Sequence, residues 1–322
     1  MRTLQPLSFS IPNRLWMSSK IWRSVGIGPV SVYFRLGRNV GVSSNLRRRL
    51  ARFILNLLNP AVDNHSVFPI DCSTPVPSIP DDQQERETAL LLGVGPGLGF
   101  ALAQRLAASG MNVALAARNA ERLDSVVAAL KKVSPPNGQL IQAYGCDATS
   151  ESSVKQLVSL VAEEMGTPHF MAYAAQGFVP GRVVDMEVCA FEECWRQNCL
   201  GAFIAAREMG RAMAASQRGT IVLIGSTSSI IGRADHLSLA VGKFGLRALA
   251  QVMARELWSN GIHVVHLVID ADIKENELYN DYVQTNPEDI ASLIHTLHRQ
   301  PRSAWSSEVD VRPFNEKWWG HC

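Results

Sequence analysis

The residues Gly93-Val94-Gly95-Pro96-Gly97-Leu98-Gly99 stand between an apolar run at 88–94 and a helical pattern that opens at Phe100. Glycine in such a turn serves two physical ends. It reaches backbone angles closed to other residues, and it lets a phosphate approach the main chain and the helix N-terminus with no Cβ in the way. Taken alone, the loop also suits an ordinary tight strand-to-helix turn. With a strand before it and a helix after it, it favours a dinucleotide pyrophosphate. Other chemistries find less support. The six cysteines form no C-x-x-C pair and the eight histidines no H-E-x-x-H, so neither a zinc site nor a disulfide framework is indicated. Cys189, Cys194 and Cys199 recur every five residues, which on a helix fans the sulfurs apart instead of converging them on a metal.

The elements that must position this loop alternate along the chain. Residues 88–94 and 111–117 read as buried strands, 97–109 and 119–133 as helices, and 139–146 as a third strand followed by a helix at 151–165. Further apolar, β-branched runs at 169–175, 219–225 and 262–269 are separated by helical stretches at 188–216 and 239–259. Alternation at this spacing requires crossover connections and a parallel sheet covered on both faces. The expected fold is α/β, a doubly wound parallel sheet of the Rossmann type, in a single domain at 88–322 with an N-terminal extension.

The chain of 322 residues is 47% hydrophobic and 19% charged, enough to bury a substantial core. Its net charge of +2 hides an asymmetry: residues 1–62 hold ten Arg or Lys and no acid, which leaves 21 basic and 29 acidic residues in 63–322. An acid-free, Arg- and Ser-rich start has the composition of an organelle transit peptide. Within it, residues 45–58 place Leu46, Leu50, Phe53 or Ile54, and Leu57 on one helical face and the arginines on the other, a pattern suited to an import receptor or an anionic membrane surface. The competing readings are an unstructured extension or a translation start at Met17. The protein is accordingly expected in the cytoplasm, or in a mitochondrion or plastid if the extension is a transit peptide. Residues 63–87, interrupted by Pro69, Pro75, Pro77 and Pro80, read as a linker. The mildly acidic remainder is a poor partner for nucleic acid, which needs a basic face. No run of 18 uninterrupted apolar residues indicates an integral membrane segment.

At this point the residues resemble the short-chain dehydrogenase/reductase family. Gly93, Gly97 and Gly99 match its G-x-x-x-G-x-G loop, and the resemblance runs from about Thr88 to Ile273. Such proteins move a hydride between a nicotinamide and a carbonyl or alcohol carbon while a Tyr supplies or removes the proton on oxygen. A Lys four residues later lowers the Tyr pKa and binds the ribose, a Ser orients the substrate oxygen, and an Asn holds a proton-relay water. By resemblance, Asn198 in Asn198-Cys199-Leu200-Gly201-Ala202-Phe203, Ser226 in Ile224-Gly225-Ser226, and Lys243 before Phe244-Gly245-Leu246 take the Asn, Ser and Lys places. Asp147 stands where the family contacts adenine, and Ile273, closing the matched stretch, joins the residues expected at the cofactor.

Arg118 ends the second strand, preceded by Ala117 where an NAD-preferring member carries an acid. A guanidinium pairs with a 2′-phosphate and no carboxylate repels it, so the resemblance implies NADP over NAD. The alternative for Arg118 is a solvated charge at a strand end. The Tyr place is empty. Four residues before Lys243 and thirteen after Ser226, both counts reach Leu239. Losing a positioned acid costs roughly 10²- to 10⁴-fold in rate, though hydride delivery by proximity survives. Of the neighbours, Ser238 lies about 100° from Leu239 on a helix and is a poor acid, which favours His236 as a substitute. Tyr173-Ala174-Ala175-Gln176 replaces the family's N-N-A-G, and Ile269-Asp270 its Pro-Gly. The segments 240–243 (A-V-G-K) and 297–305 (L-H-R-Q-P-R-S-A-W) resemble a divergent branch lacking the active-site Tyr.

Two functions are expected from this: an NADP(H)-dependent oxidoreductase for a small carbonyl or alcohol with a non-standard proton donor, or a nucleotide-binding pseudoenzyme serving as sensor or scaffold. The loop at 270–287 carries few large apolar residues, which argues against a steroid or lipid pocket. A homo-oligomer is open.

Overall fold

The computed structural model describes residues 86–133, 138–273 and 284–314, together with the backbone of Ser10–Ile11 and Leu15–Trp16, which pair as a two-residue antiparallel ladder. The chain divides into two units at 1–78 and 79–322. The second holds every element discussed below. The expected amphipathic helix at 45–58 and all of the linker at 63–87 before residue 86 lie outside the described residues.

Seven strands form the sheet: Thr88–Leu92 (β1), Asn112–Ala117 (β2), Ile141–Gly145 (β3), Pro168–Tyr173 (β4), Gly219–Ile224 (β5), Ile262–Ile269 (β6) and, at the edge and half polar, Glu308–Val311 (β7). They pair in the order β7-β6-β5-β4-β1-β2-β3, all parallel. Every residue of β1, β5 and β6 is buried. This is why these strands read as continuous hydrophobic runs, since helices cover both faces.

On one face lie Glu151–Met165 (α3), Gly201–Ala214 (α5) and Leu237–Leu257 (α6), which pack Val161, Met209 and Leu246 onto Met171, Ile221 and Val264. On the other lie Leu98–Ala108 (α1), Glu121–Val133 (α2) and Pro287–His298 (α7), which pack Leu106, Leu130 and Ile294 onto Leu91, Phe170 and Leu267. The doubly wound sheet expected from the alternation is therefore present. Its chain order reverses beside β1, which has β2 on one side and β4 on the other, and this opens a crevice at the carboxyl ends of those strands.

Two features depart from the expected pattern. The stretch at 188–216 is not one continuous helix: Val188–Trp195 (α4) and α5 are joined by a π-helical turn at Arg196–Leu200. The pair α7 and β7 goes beyond the alternation and extends the sheet at the β6 edge. Asn286 caps α7 by accepting from the Glu288 N–H at 3.0 Å, with Pro287 in the first turn and Glu288 and Asp289 favouring the positive end of the helix dipole. Among the described residues, Leu237–Asn260 is long and apolar enough to cross a membrane by length and composition. Its Leu246, Ala250 and Ala254 are spent on the sheet.

At the opposite, amino edge of the sheet one carboxylate ties three elements together. Glu87, just before β1, pairs with Arg218 before β5, with Arg299 at 3.1 Å and with His298 at 3.4 Å at the end of α7. The His298 hydrogen bond, with the charges of His298, Arg299 and Arg218, outweighs burial and lowers the carboxyl from 4.5 to about 2. The unfolded chain binds this proton more tightly. The stabilisation is therefore complete above pH 4.5 and lost as the pH falls toward 2. Glu87→Gln should cost about 3 kcal/mol near neutral pH and flatten the stability profile between those limits. Urea titrations from pH 2 to 7 measure this, and a variant that keeps the parental slope contradicts the assignment.

Candidate cofactor and catalytic site

All the expected site residues on strand-following loops lie along the carboxyl edge of the sheet. Gly93 leaves β1 with φ +84°, and a Cβ there would strike the backbone of Ala175. Only glycine lets the turn after β1 pass beneath the segment after β4, where the Ala174 N–H donates to Leu92 O at 2.8 Å. Gly97 then occupies the N-cap of α1, which has no side-chain cap and no acid in its first turn. Gly99 packs against the loop, since a Cβ would stand 2.9 Å from Val94 Cα. Ile273 comes over from β6, its carbonyl oxygen 3.8 Å from where a Gly97 Cβ would be. An uncapped helix end, backbone without side chains and a first turn free of acids fit an anionic pyrophosphate.

Further along the crevice, Arg118 follows β2 and its side chain is 71% exposed, facing Glu193 of α4 at 3.8 Å. An exposed pair at that distance holds the guanidinium weakly, by about 0–1 kcal/mol, and leaves it able to exchange partners. Asp147 follows β3. Its Oδ1 accepts from the Thr149 N–H at 2.9 Å and the Thr149 hydroxyl at 2.8 Å, an Asx turn that fixes the loop ahead of α3.

Asn198 sits in the π turn and is fully buried. Its Nδ2 donates to Gly177 O at 2.7 Å and Cys194 O at 2.9 Å, and its Oδ1 accepts from the Gly177 N–H at 3.4 Å. The amide thus staples the loop after β4 to the helices. The Tyr173 hydroxyl donates to the Gln197 carbonyl of the same turn at 2.6 Å, so its phenol, whose pKa burial raises, serves as a buried strut. Gly242 of α6 touches Asn198 so closely that a Cβ there would collide with it. A π bulge, a tyrosine and a glycine together set the distance between α6 and α5.

Lys243 projects from α6 toward the end of β5 and is 2% exposed. Its Nζ donates to Ile224 O at 2.8 Å, and burial lowers the amine from 10.5 to about 8. Two residues past that carbonyl, the Ser226 hydroxyl is buried with no hydrogen-bond partner among the described residues. A buried ammonium and an unpaired hydroxyl near one strand end are groups left for something the protein itself does not supply.

Leu239 occupies the turn of α6 before Lys243. Neither expected substitute is a free acid in the described structure. The Ser238 hydroxyl donates to Val179 O at 2.7 Å and accepts from the Val179 N–H at 3.1 Å. The His236 ring stacks on Phe178 with centroids 5.1 Å apart, its Nδ1 2.8 Å from Ala234 O. Asp270, in place of the family's Pro-Gly, accepts from the Thr227 hydroxyl and pairs with Arg312 beyond β7. The apolar content of the loop after Ile273 falls on residues 274–283, outside the described residues.

A seven-stranded parallel sheet with a glycine turn on its first central strand and a buried lysine and serine at its carboxyl edge defines a Rossmann-type oxidoreductase. The chain belongs to the short chain dehydrogenase family, whose model matches residues 87–277. It is similar to a short-chain dehydrogenase from Rhodopseudomonas palustris of known structure, 31% identical over 71% of this chain and 99% of that one, with a TM-score of 0.63. Sorbitol-6-phosphate 2-dehydrogenase of Escherichia coli (strain K12) is 30% identical over 57% of this chain and 70% of its own. A metagenomic short-chain oxidoreductase solved in complex with NADP shares the fold at 24% identity, covering 70% of this chain and 97% of that one, with a TM-score of 0.61.

Lys243 is a liability for the folded protein on its own. The unfolded chain holds its proton up to 10.5 and the folded one only to about 8, so stability rises with pH between these values and the full penalty applies below 8. The linkage is worth about 3 kcal/mol, offset by about 1 kcal/mol for the bond to Ile224 O. Lys243→Met should therefore stabilise the ligand-free protein by about 2 kcal/mol at pH 7, and the gain should vanish as the pH approaches 10. Urea unfolding of both proteins at pH 7 and pH 10 decides it, and equal stability at pH 7 counts against the buried-ammonium assignment.

Proposed function

We propose that this protein is an NADP(H)-dependent oxidoreductase acting on a small carbonyl or alcohol. The observation that carries the reading is Lys243: a fully buried amine with one carbonyl partner, beside the unpaired Ser226 hydroxyl. A structural role does not require an ammonium there, whereas a ribose hydroxyl and a substrate oxygen would use both groups.

Gly93, Gly97 and Gly99 with the α1 N-terminus would hold the pyrophosphate, Asp147 the adenine end, and Ile273 the outer side of the same cradle. Arg118 would leave Glu193 for the 2′-phosphate, trading a weak exposed contact for a bidentate one. Such a nucleotide, when bound, gives or takes the hydride. Ser226 would hold the substrate oxygen, Lys243 would anchor the ribose and place positive charge where an alkoxide develops, and Asn198 would keep the Gly177 segment and α6 in place.

Arg118→Asp should weaken NADP binding about tenfold to a hundredfold and NAD binding little. Calorimetric titration with both nucleotides measures this, and equal losses would remove Arg118 from the specificity role. NADPH consumption over a panel of small aldehydes and ketones tests the activity. Leu239→Tyr, which sets a phenol one helical turn before Lys243, should raise that rate. A folded, nucleotide-binding Leu239→Tyr protein that is inert across the panel, like its parent, would overturn the oxidoreductase reading.

A further inference from the structure

The segment 297–305, which resembles a divergent branch of the family, has no part in the cofactor or catalytic site. It runs from the end of α7 into the turn before β7, and there it lines a cleft of about 680 Å³ at the amino edge of the sheet. The turn between α1 and β2 and the approaches to β1, β5 and β6 complete the walls. Gly93 and Ser226 lie past the other ends of β1 and β5, so this cleft is separate from the crevice described above.

Its lining is cationic well beyond what its one acid requires. Arg86, Arg218, Arg299 and Arg302 line it beside a single carboxylate among the described residues, that of Glu87. Arg218 Nη2 pairs with Glu87 Oε1, and Arg299 Nη1 pairs with Oε2 at 3.1 Å, so two guanidiniums stand side by side on the two oxygens of one group. The Glu87 side chain is 15% exposed against 49% and 51% for these arginines. The cations, and not the carboxylate, therefore meet what enters. Arg302 reaches the same place from the segment, where its Nη2 donates at 2.7 Å to the carbonyl of Gln217, the residue before Arg218. That nitrogen lies 2.9 Å from where a Cβ of Gly261 would be, at a turn whose φ of +76° favours glycine. Each guanidinium carries five N–H donors, and these contacts occupy one nitrogen of each of the three.

The rest of the segment holds this arrangement in place. The Gln300 side chain donates to Ser306 Oγ and accepts from the Ser306 N–H, both at 2.9 Å. Trp305 Nε1 donates to Gln300 O at 3.2 Å, and its ring stacks on His263 with centroids 4.8 Å apart. The turn that bears Arg299 and Arg302 is thus set before any ligand arrives, which lowers the cost of binding one. Like charges gathered about one carboxylate repel one another, and a second, multiply charged anion would relieve them. Guanidinium forks match phosphate oxygens in pairs, and the cleft is large enough to leave room beside a phosphate for an organic body. We propose that this cleft binds a phosphate dianion, free or carried on a small organic molecule, between Arg218, Arg299 and Arg302. The site is independent of the oxidoreductase reading.

Proton–nitrogen NMR of the tryptophan indoles in the full chain tests this, with sodium chloride holding the ionic strength constant. The Trp305 Nε1–H signal, assigned by its loss in Trp305→Phe, should move and saturate as inorganic phosphate or glycerol 3-phosphate is added. Tighter binding of the monoester assigns an organic phosphate to the cleft, and tighter binding of the inorganic ion assigns free phosphate. Arg302→Gln, which leaves the ties of Glu87 intact, should weaken both about tenfold or more. Should that variant fail to fold, Arg302→Lys keeps the charge, loses the fork and should weaken both severalfold. A Trp305 signal that stays still under phosphate, as it would if the ion settled at the α1 N-terminus instead, overturns the proposal. So does a signal that moves as far with sodium chloride alone, or an affinity that the folded Arg302 variant leaves unaltered.

Discussion

The structure turns on one unfavourable act, the burial of the Lys243 amine under α6 with the Ile224 carbonyl as its one hydrogen-bond partner among the described residues. An ammonium in such surroundings loses its hydration and regains one hydrogen bond. To keep it there, the helix must be held against the sheet by contacts that do not depend on the lysine. They come from the apolar side of α6, where Leu246, Ala250, Met253 and Ala254 reach the same core as Ile221 and Val264. The carboxyl edge of the sheet is thus left free to be polar and poorly satisfied, because the middle of each strand supplies the cohesion.

Close approach is the second condition, and it is met where side chains are missing. Gly93 allows β1 and the segment after β4 to cross. Gly242 allows α6 to touch Asn198, and Gly225 opens the space between His266 and Ser229. At each of these places a methyl group would collide with a neighbour that itself bears on the site. The π turn at Arg196–Leu200 belongs to the same economy of space. It leaves the Gln197 carbonyl available, Tyr173 takes it, and Asn198 is brought in to hold Gly177. A straight helix through 188–216 would present different residues to α6.

Much of this was legible before any coordinates. The glycine loop and the strand and helix spacing lead to the parallel sheet, because buried parallel strands must be apolar on both faces and their crossovers must be helical. Ser226 and Lys243 could be named from their surroundings, and their convergence on the end of β5 follows from the topology. The π turn could not, since its stabilising partner, Tyr173, is a strand residue 24 positions away whose hydroxyl looks like any other. The chain from Arg247 through Glu308 to His266 was equally hidden. It depends on the register of β7 beside β6, 42 residues apart in sequence, and no local pattern encodes that register. Asp270 stood out as a departure from the family's Pro-Gly, but its meaning lay in Arg312, past the last strand.

The same edge carries Leu239 on α6, one helical turn before Lys243. A phenol at that position would be one way to hold a proton near the substrate oxygen, and its essential property is a pKa brought into reach by a neighbouring ammonium. An imidazole needs no such help, since its ordinary value already lies near neutrality. What it needs is orientation, and Glu308, held in both arms of Arg247, provides it for His266. Lys243 then has a different part to play beside a histidine than beside a tyrosine. It disfavours the imidazolium of His266 instead of favouring a phenolate.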